Sequence, residues 1–384
     1  MKTSLQQIFQ DAFPAYSSFR PLPIDHLKAA YSFMTCKTAA QGGHVQACPD
    51  GHVEGIWYNS CKHRSCPQCD QIGAEQWLRA QKEKLIDTSH HHLVFTIPHD
   101  LNEIWIRNKS LMIDLLFQAT SETLKALLRD KKYLGAESGF ILSLHTWGRN
   151  TSLHPHIHCL ITDGGLDRHG NWVHPVKNCF LPFRVVMQLF RGKLCAFIRE
   201  VINQLILPPD LNIQRVHNLL NKLGRTDWKV YIPKKYDYGT GVAIYLARYV
   251  KGGPIHNHQL QRFDDKIVLS YTSHKTKQRE SITFTKEDFI KRILMHVPPK
   301  GKRIIRTYGL YAPSCIEKLN KARAAHKQKP VKKPLKLDWR EYLESTGQAE
   351  KGLCPECKKR LVIIDTIPRT RDPTIPLSSL RLLS

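Results

Sequence analysis

No run of apolar residues in this 384-residue chain approaches the ~20 that a membrane-spanning helix requires. The stretch from Met1 to Asp11 also lacks the apolar core of a secretory signal. Both absences argue against a membrane or exported protein, and the expected location is the cytoplasm. Acidic residues are scarce as well: 33 Asp plus Glu stand against 58 Lys plus Arg, a formal net charge of +25 at pH 7. Such a deficit of negative charge points to a polyanionic partner, nucleic acid by default, the alternative being a basic protein kept soluble by its charge. At 41% hydrophobic residues the chain is not disordered, and it is long enough for more than one domain. A reducing cytosol makes its 11 cysteines thiols or metal ligands rather than disulfides.

Five of those cysteines, Cys36, Cys48, Cys61, Cys66 and Cys69, fall within 34 positions, interleaved with His44, His52 and His63. Cys66-Pro-Gln-Cys69 has the spacing of a zinc knuckle, whose short turn lets two thiolates converge on one tetrahedral ion. Cys48-Pro-Asp-Gly-His52 reads as a second knuckle ending in a histidine. Together they predict a zinc ribbon with a ligand set of Cys48, His52, Cys66 and Cys69. Cys36, His44, Cys61 and His63 are then left for a second site, giving one or two structural Zn²⁺. A redox CxxC would need a βαβ setting that Arg64, Pro67 and Asp70 do not suggest. Far downstream, Cys354-Pro-Glu-Cys357 is another knuckle with Cys315 as its one nearby helper; it either caps a zinc site with distant ligands or is a remnant.

Periodicity supplies the frame. Residues 75–88 form an amphipathic helix, 92–98 a strand closed by proline, and 110–128 a long packing helix. Residues 140–145 and 156–162 read as a hairpin, 184–205 and 242–250 as helices, and 267–272 with 281–285 as a second hairpin, after which Thr285 to Asp288 caps a helix running to His296. Close-turned strands with helices between them predict an α+β fold built on an antiparallel sheet. The chain beyond Ile364 reads as poorly ordered.

In the strand 156–162, His156 and His158 alternate with Ile157 and Cys159, so both imidazoles share one face and can hold one ion. His145 on the preceding strand is the first candidate for a third ligand and His154 the second, because Pro155 argues against the strand reaching that far. An ion that must also receive a phosphate would be Mg²⁺ or Mn²⁺. Tyr245-Leu-Ala-Arg-Tyr249 sets two phenols four residues apart on one helix, about 5–6 Å between Cβ atoms. They are either an aromatic packing stripe or a pair of nucleophiles. Arg248, Lys251, Lys234 and Lys235 are candidate phosphate contacts.

Several further blocks stand in a fixed order around these motifs. They include Cys36-Lys-Thr-Ala-Ala-Gln-Gly-Gly-His44, Asn59-Ser-Cys-Lys-His-Arg-Ser-Cys-Pro-Gln-Cys69, Leu93-Val-Phe-Thr-Ile-Pro-His99, Leu144-His-Thr-Trp-Gly148, His296-Val-Pro-Pro-Lys-Gly301 and Arg306-Thr-Tyr-Gly-Leu-Tyr-Ala-Pro313. With the His154-Pro-His-Ile-His-Cys159 run and the tyrosine pair, this order resembles the rolling-circle transposases of bacterial insertion sequence 91 type, two-tyrosine members of the HUH endonuclease superfamily. The resemblance covers roughly residues 28–313. It implies a zinc-binding domain with its connecting helix over 1–88 and an HUH catalytic domain with a central antiparallel sheet flanked by helices over 89–313; the remainder, 314–384, reads by composition as a basic, partly disordered region that carries the Cys354 knuckle. The resemblance further implies His156 and His158 as metal ligands, Tyr245 and Tyr249 as nucleophiles, and single-stranded DNA at transposon ends together with target DNA as partners, in the cytoplasm at the bacterial nucleoid. One departure is visible, since relatives often carry cysteine where Gly51 stands here. Plasmid-type rolling-circle initiators share this chemistry, and a non-catalytic zinc-ribbon regulator would share the charge and the cysteines.

Overall fold

The structure, a computed structural model, describes residues 1–69, 71–175, 181–237, 241–242, 253–273, 276–332 and 338–369. The chain opens with helices α1 (Leu5–Ser18) and α2 (Ile24–Thr35). Ser4 starts α1 through a capping box with Gln7, which meets two backbone N–H groups the first turn leaves unpaired. Leu5, Ile8, Phe9 and Phe13 fall on its buried face. The hairpin β1 (Gly43–Ala47) and β2 (Glu54–Tyr58) follows, then α3 (Gln71–Lys82), earlier than the helix predicted from residue 75.

The next segment builds the main sheet. It runs through β3 (His90–Thr96), α4 (Asn102–Arg107) and α5 (Lys109–Arg129), whose 21 residues contain neither glycine nor proline. β4 (Gly139–Trp147) and β5 (Leu153–Thr162) make the predicted hairpin, closed where the Gly148 N–H donates to the Ser152 carbonyl at 2.9 Å. The short strands β6 (Gly165–Leu166) and β7 (Trp172–Val173) precede α6 (Phe183–Glu200), α7 (Ile213–Leu223) and β8 (Val230–Tyr236). Of the helix predicted over 242–250, all but Val242 lies outside the described residues. The second meander is β9 (Leu260–Phe263), β10 (Lys266–Thr272) and β11 (Arg279–Thr285), with Thr285 capping α8 (Lys286–Leu294) by accepting the Asp288 N–H. β12 (Ile305–Gly309), α9 (Ile316–Ala325), α10 (Trp339–Ser345) and β13 (Val362–Ile367) complete the order.

Five strands in the order β12-β4-β5-β3-β8 pair antiparallel throughout, so the fold is α+β as the spacing predicts. One face is sealed. Leu93 and Phe95 of β3, Phe140, Leu142 and Leu144 of β4, and Ile157, Cys159 and Ile161 of β5 pack under α5, α6 and α7. Alternation then sends Ser143, His145, His156 and His158 to the opposite face. On that face Ile141 and Leu160 lie beneath Leu85, Leu310, Tyr311 and Leu319, while the histidines occupy the other half, His156 and His158 themselves buried.

Pro155 does not end β5. His145 pairs with His156 and Trp147 with Leu153, so β5 carries one extra residue opposite Thr146. This bulge absorbs the missing proline N–H and lets the strand begin at Leu153, upstream of where the sequence places it. At the sheet edge, Gly309 takes φ +57°, and a Cβ there would meet the Ser138 carbonyl at 1.9 Å, so only glycine fits.

Elsewhere, segments distant in sequence pack together. α1 and α2 share a core with β10 and α8 through Phe9, Phe33, Leu269 and Phe289. β13 joins β1 and β2 in a third sheet, with Gly43 opposite Ile367 and Ala47 opposite Val362. The strand pairing runs three residues past Ile364, to Ile367, because β13 bonds β1 along its backbone, and the rest of the tail expected to be poorly ordered, from residue 370 on, lies outside the described residues.

Candidate metal centres

Among the described residues three groups of side chains converge, and two of them regroup the cysteines. Cys36, Cys61, Cys66 and Cys69 bring their sulfurs within 4.8 Å of one another, with Cys61 and Cys69 at 3.5 Å. Cys48 and His52 meet Cys354 and Cys357 instead, with Cys48 Sγ at 3.4 Å from Cys357 Sγ and at 3.5 Å from His52 Nδ1. The predicted ribbon of Cys48, His52, Cys66 and Cys69 is thus corrected. The hairpin β1–β2 carries the Cys48 turn to its far end, away from Cys66 and Cys69, whereas Cys36 and Cys61 flank its base.

His44 is not in either group. It bonds Gln46 at 2.8 Å and stacks on Trp57, an ordinary strand contact. His63 accepts the Ser65 N–H at 3.2 Å and meets the Phe33 ring edge-on. Cys315, at the start of α9, also stays apart from Cys354 and Cys357.

Four sulfurs around a zinc ion at ~2.3 Å would stand about 3.8 Å apart, close to the spacing found. Lys37 and Lys62, immediately after Cys36 and Cys61, take φ +57° and +55°. The His63 N–H donates to Cys61 Sγ at 3.4 Å, a bond that favours the thiolate. Hydrogen bonds from Cys61, Cys66 and Cys69 hold the Cys36 thiol well below its usual range. The Cys₄ group fits zinc.

The third group is His145, His156 and His158, whose ligating nitrogens lie within 4.8 Å of one another. Antiparallel register makes it: His145 pairs directly with His156, and His158 is next in phase along β5. The His156 Nδ1–H donates to the His154 carbonyl at 2.6 Å, so the neutral ring has a bare Nε2. That nitrogen faces Nε2 of His158 at 3.2 Å. Two nitrogens on one ion with bonds of ~2.1 Å stand about 3.0 Å apart at a right angle and about 3.4 Å at the tetrahedral angle, which brackets this spacing.

His158 Nδ1 is held at 2.9 Å by Nε2 of His92, the next strand's contribution. His145 stacks on Trp147 with ring centroids 4.8 Å apart, and His296 braces Trp147 edge-on. His296 itself bonds Thr146 Oγ1 at 3.1 Å and the Thr151 carbonyl at 2.9 Å, tying the His296 to Gly301 block to the hairpin tip.

Burial holds His156 and His92 down at about 4, and His158 lower still, with His145, His156 and His92 adding to the effect. All three are neutral near pH 7, the form that ligates metal. The group thus fits a divalent cation. Three imidazole nitrogens, with no carboxylate in the group among the described residues, suit Mn²⁺, which accepts nitrogen ligands more readily than Mg²⁺ does.

His92 is the functional candidate that motif spacing misses. Its signal is the His90-His91-His92 run with alternating faces. His90 bonds Tyr311 Oη at 2.7 Å and the Thr88 carbonyl, while His91 bonds Asp163 at 2.9 Å on the other face. Of the candidate phosphate contacts, Lys235 pairs with Asp163 at 2.5 Å on that same face, away from the three histidines. Lys234 stands opposite His92 in the ladder between β3 and β8. Tyr245, Arg248, Tyr249 and Lys251 lie outside the described residues.

With this geometry in hand, two family patterns match the chain: one described as "Transposase zinc-binding domain" over residues 8–97, and one described as "Putative transposase" over residues 139–318. The chain is similar to "Putative transposase y4qJ" of Sinorhizobium fredii, 32% identical over 85% of this chain and 86% of that protein. It is also similar to "Transposase for insertion sequence element IS801" of Pseudomonas savastanoi pv. phaseolicola, 30% identical over 73% of this chain and 68% of the relative. No solved structure matches it. Among the described residues, no helix is long and apolar enough to cross a membrane.

Proposed function

Because the chain belongs to the insertion sequence 91 family of transposases and carries that family's N-terminal zinc-binding domain, we propose that it nicks single-stranded DNA at insertion-sequence ends with a tyrosine nucleophile. The strand is then passed on by a rolling-circle-type transfer. One observation supports this most: three imidazoles, His145, His156 and His158, converge from two neighbouring strands on the sheet face opposite α5, α6 and α7. Bound there, Mn²⁺ or Mg²⁺ would draw charge from a phosphate oxygen and leave phosphorus more open to attack.

The chain's own groups do the rest. Tyr245 or Tyr249 attacks phosphorus: a bond from the phenolic oxygen to phosphorus forms, the bond to the DNA 3′ oxygen breaks, and the phenol's proton ends on that oxygen as a hydroxyl. The 5′ phosphate stays on the protein. Since one phosphodiester replaces another and a phenolate of pKa ~10 is a better leaving group than an alkoxide, the 3′-hydroxyl of a target strand can reverse the step. Two tyrosines let one hold an end while the other cuts. Arg248, Lys251 and Lys234 are the cations proposed to contact the DNA backbone.

The test uses labelled single strands carrying the insertion-sequence end. Parent protein should form a covalent adduct, and Tyr245→Phe with Tyr249→Phe together should form none. His156→Ala should lose the adduct while retaining strand binding. An adduct surviving in the double tyrosine variant sinks the assignment, and a parent that binds without ever forming one would make the chain a regulator.

A further inference from the structure

The knuckle Cys354-Pro-Glu-Cys357 lies outside both matched stretches, and the proposed nicking reaction does not use it. We propose that Cys48, His52, Cys354 and Cys357 hold a second zinc ion, which clasps the C-terminal strand β13 to the N-terminal hairpin β1–β2. The inference is independent of the nicking chemistry.

Three independent features carry it. First, the donors are spaced for one tetrahedral ion, with sulfur to sulfur at 3.4 Å and sulfur to nitrogen at 3.5 Å. A disulfide would need ~2.05 Å.

Second, the backbone repeats the devices of the Cys₄ centre. The Asp50 N–H donates to Cys48 Sγ at 3.4 Å, as His63 does to Cys61, and Lys358 after Cys357 takes φ +58° as Lys37 and Lys62 do. The Cys354 N–H closes its turn onto the Lys359 carbonyl at 2.8 Å, and Lys359 Nζ reaches Asp50 at 2.8 Å across the two knuckles.

Third, the local core cannot hold the unit. Its buried members are Cys48, Cys354 and Leu361, backed by Val53, Trp57 and Cys357, while Val362, Ile363 and Ile364 of β13 remain exposed. So small an apolar cluster is where a structural metal replaces a hydrophobic core. Two of its three buried members are themselves thiols, which pack there at full benefit only as ligands.

The experiment is metal analysis of the full-length protein purified under reducing conditions, joined to hydrogen exchange of β13. Parent protein should carry two zinc ions per chain. Cys48→Ser, and Cys354→Ser with Cys357→Ser, should each carry one. Both should expose the Val362–Ile367 amides to faster exchange, although Cys48 is far from them in sequence. Cobalt-loaded parent should show charge-transfer absorption for seven thiolates, four from one centre and three from the other. His52→Cys keeps two metals and adds an eighth thiolate, so the clasp can be tested in a variant that retains a full ligand set. Cys36→Ser should instead remove the other ion and leave the three-thiolate spectrum, so loss of the Cys₄ centre is distinguishable. A parent with one zinc, or a Cys48→Ser variant with unchanged zinc content or an unchanged β13, overturns the proposal.

Discussion

Replacing His92 by alanine removes the imidazole that stands 2.9 Å from Nδ1 of His158 and leaves the proposed ligands in place. His92 is a positioning residue: in the tautomer that metal ligation through Nε2 requires, it accepts the His158 Nδ1–H and holds the ring turned toward His156. Loss of such an outer partner typically costs 10–100-fold in metal affinity, or about 1.4–2.7 kcal/mol. The Mn²⁺ concentration giving half-maximal adduct with an end oligonucleotide should therefore rise by ~10–100-fold. The rate at saturating Mn²⁺ should stay close to that of the parent, since nothing that touches the phosphate has gone. His92→Gln, whose side-chain oxygen can accept the same N–H, should recover most of the loss. Unchanged zinc content shows that the variant is folded. An unshifted Mn²⁺ midpoint with a lowered rate at saturation would refute the reasoning and place His92 against the DNA.

A shell of three uncharged nitrogens should also select the ion: Mn²⁺ is expected to support adduct formation at a lower concentration than Mg²⁺, and equal midpoints would count against nitrogen ligation. His90 and His296 provide a pH prediction. Burial holds both at about 4 in the fold against an ordinary 6.5, so the unfolded chain binds more protons between those values. Their contribution is complete above pH 6.5 and is lost as pH falls toward 4, roughly 3 kcal/mol each in the limit. Denaturant unfolding at pH 7.5 and 4.5 should show the fall, and His296→Gln should lessen it; parallel curves for the two proteins would remove His296 as a contributor.

The histidine site was legible to the extent that it follows from period and adjacency. His156 and His158 share a face because a strand alternates, and His145 joins them because a short turn makes the hairpin antiparallel. His92 was not legible, since its approach to His158 depends on β3 lying on the other side of β5 in one register, which no local spacing encodes. The bulge at Pro155 escaped for a related reason: proline rules out a ladder N–H, but it does not say whether the strand ends or steps over the defect. Nearness in sequence pairs the wrong cysteines, because the hairpin β1–β2 separates Cys48 from Cys66. The partner knuckle of Cys48 comes from the other end of the chain. Nor does the left-handed turn after Cys36, Cys61 and Cys357 leave a trace, because lysine rather than glycine occupies it each time.

The neutral shell has a thermodynamic consequence that ties metal to DNA. Three imidazoles supply no charge, so a divalent ion held by them alone keeps its full +2 and binds less tightly than it would among carboxylates. A DNA phosphate that joins the ion supplies the missing negative oxygen, and burial of His156 and His158 keeps that attraction from being screened away. DNA should therefore raise the affinity for Mn²⁺, and linkage requires Mn²⁺ to raise the affinity for DNA by the same factor. The coupling can be measured without chemistry in the Tyr245→Phe, Tyr249→Phe protein: the Mn²⁺ dissociation constant with and without an end oligonucleotide, and the oligonucleotide's with and without Mn²⁺. Couplings of 5–150-fold span the usual range. His156→Ala should abolish the effect and leave only the salt-dependent binding that a chain of net charge +25 provides without metal. If Mn²⁺ and DNA bind the parent site independently, the phosphate does not enter the shell, and the three histidines do not act on the scissile bond.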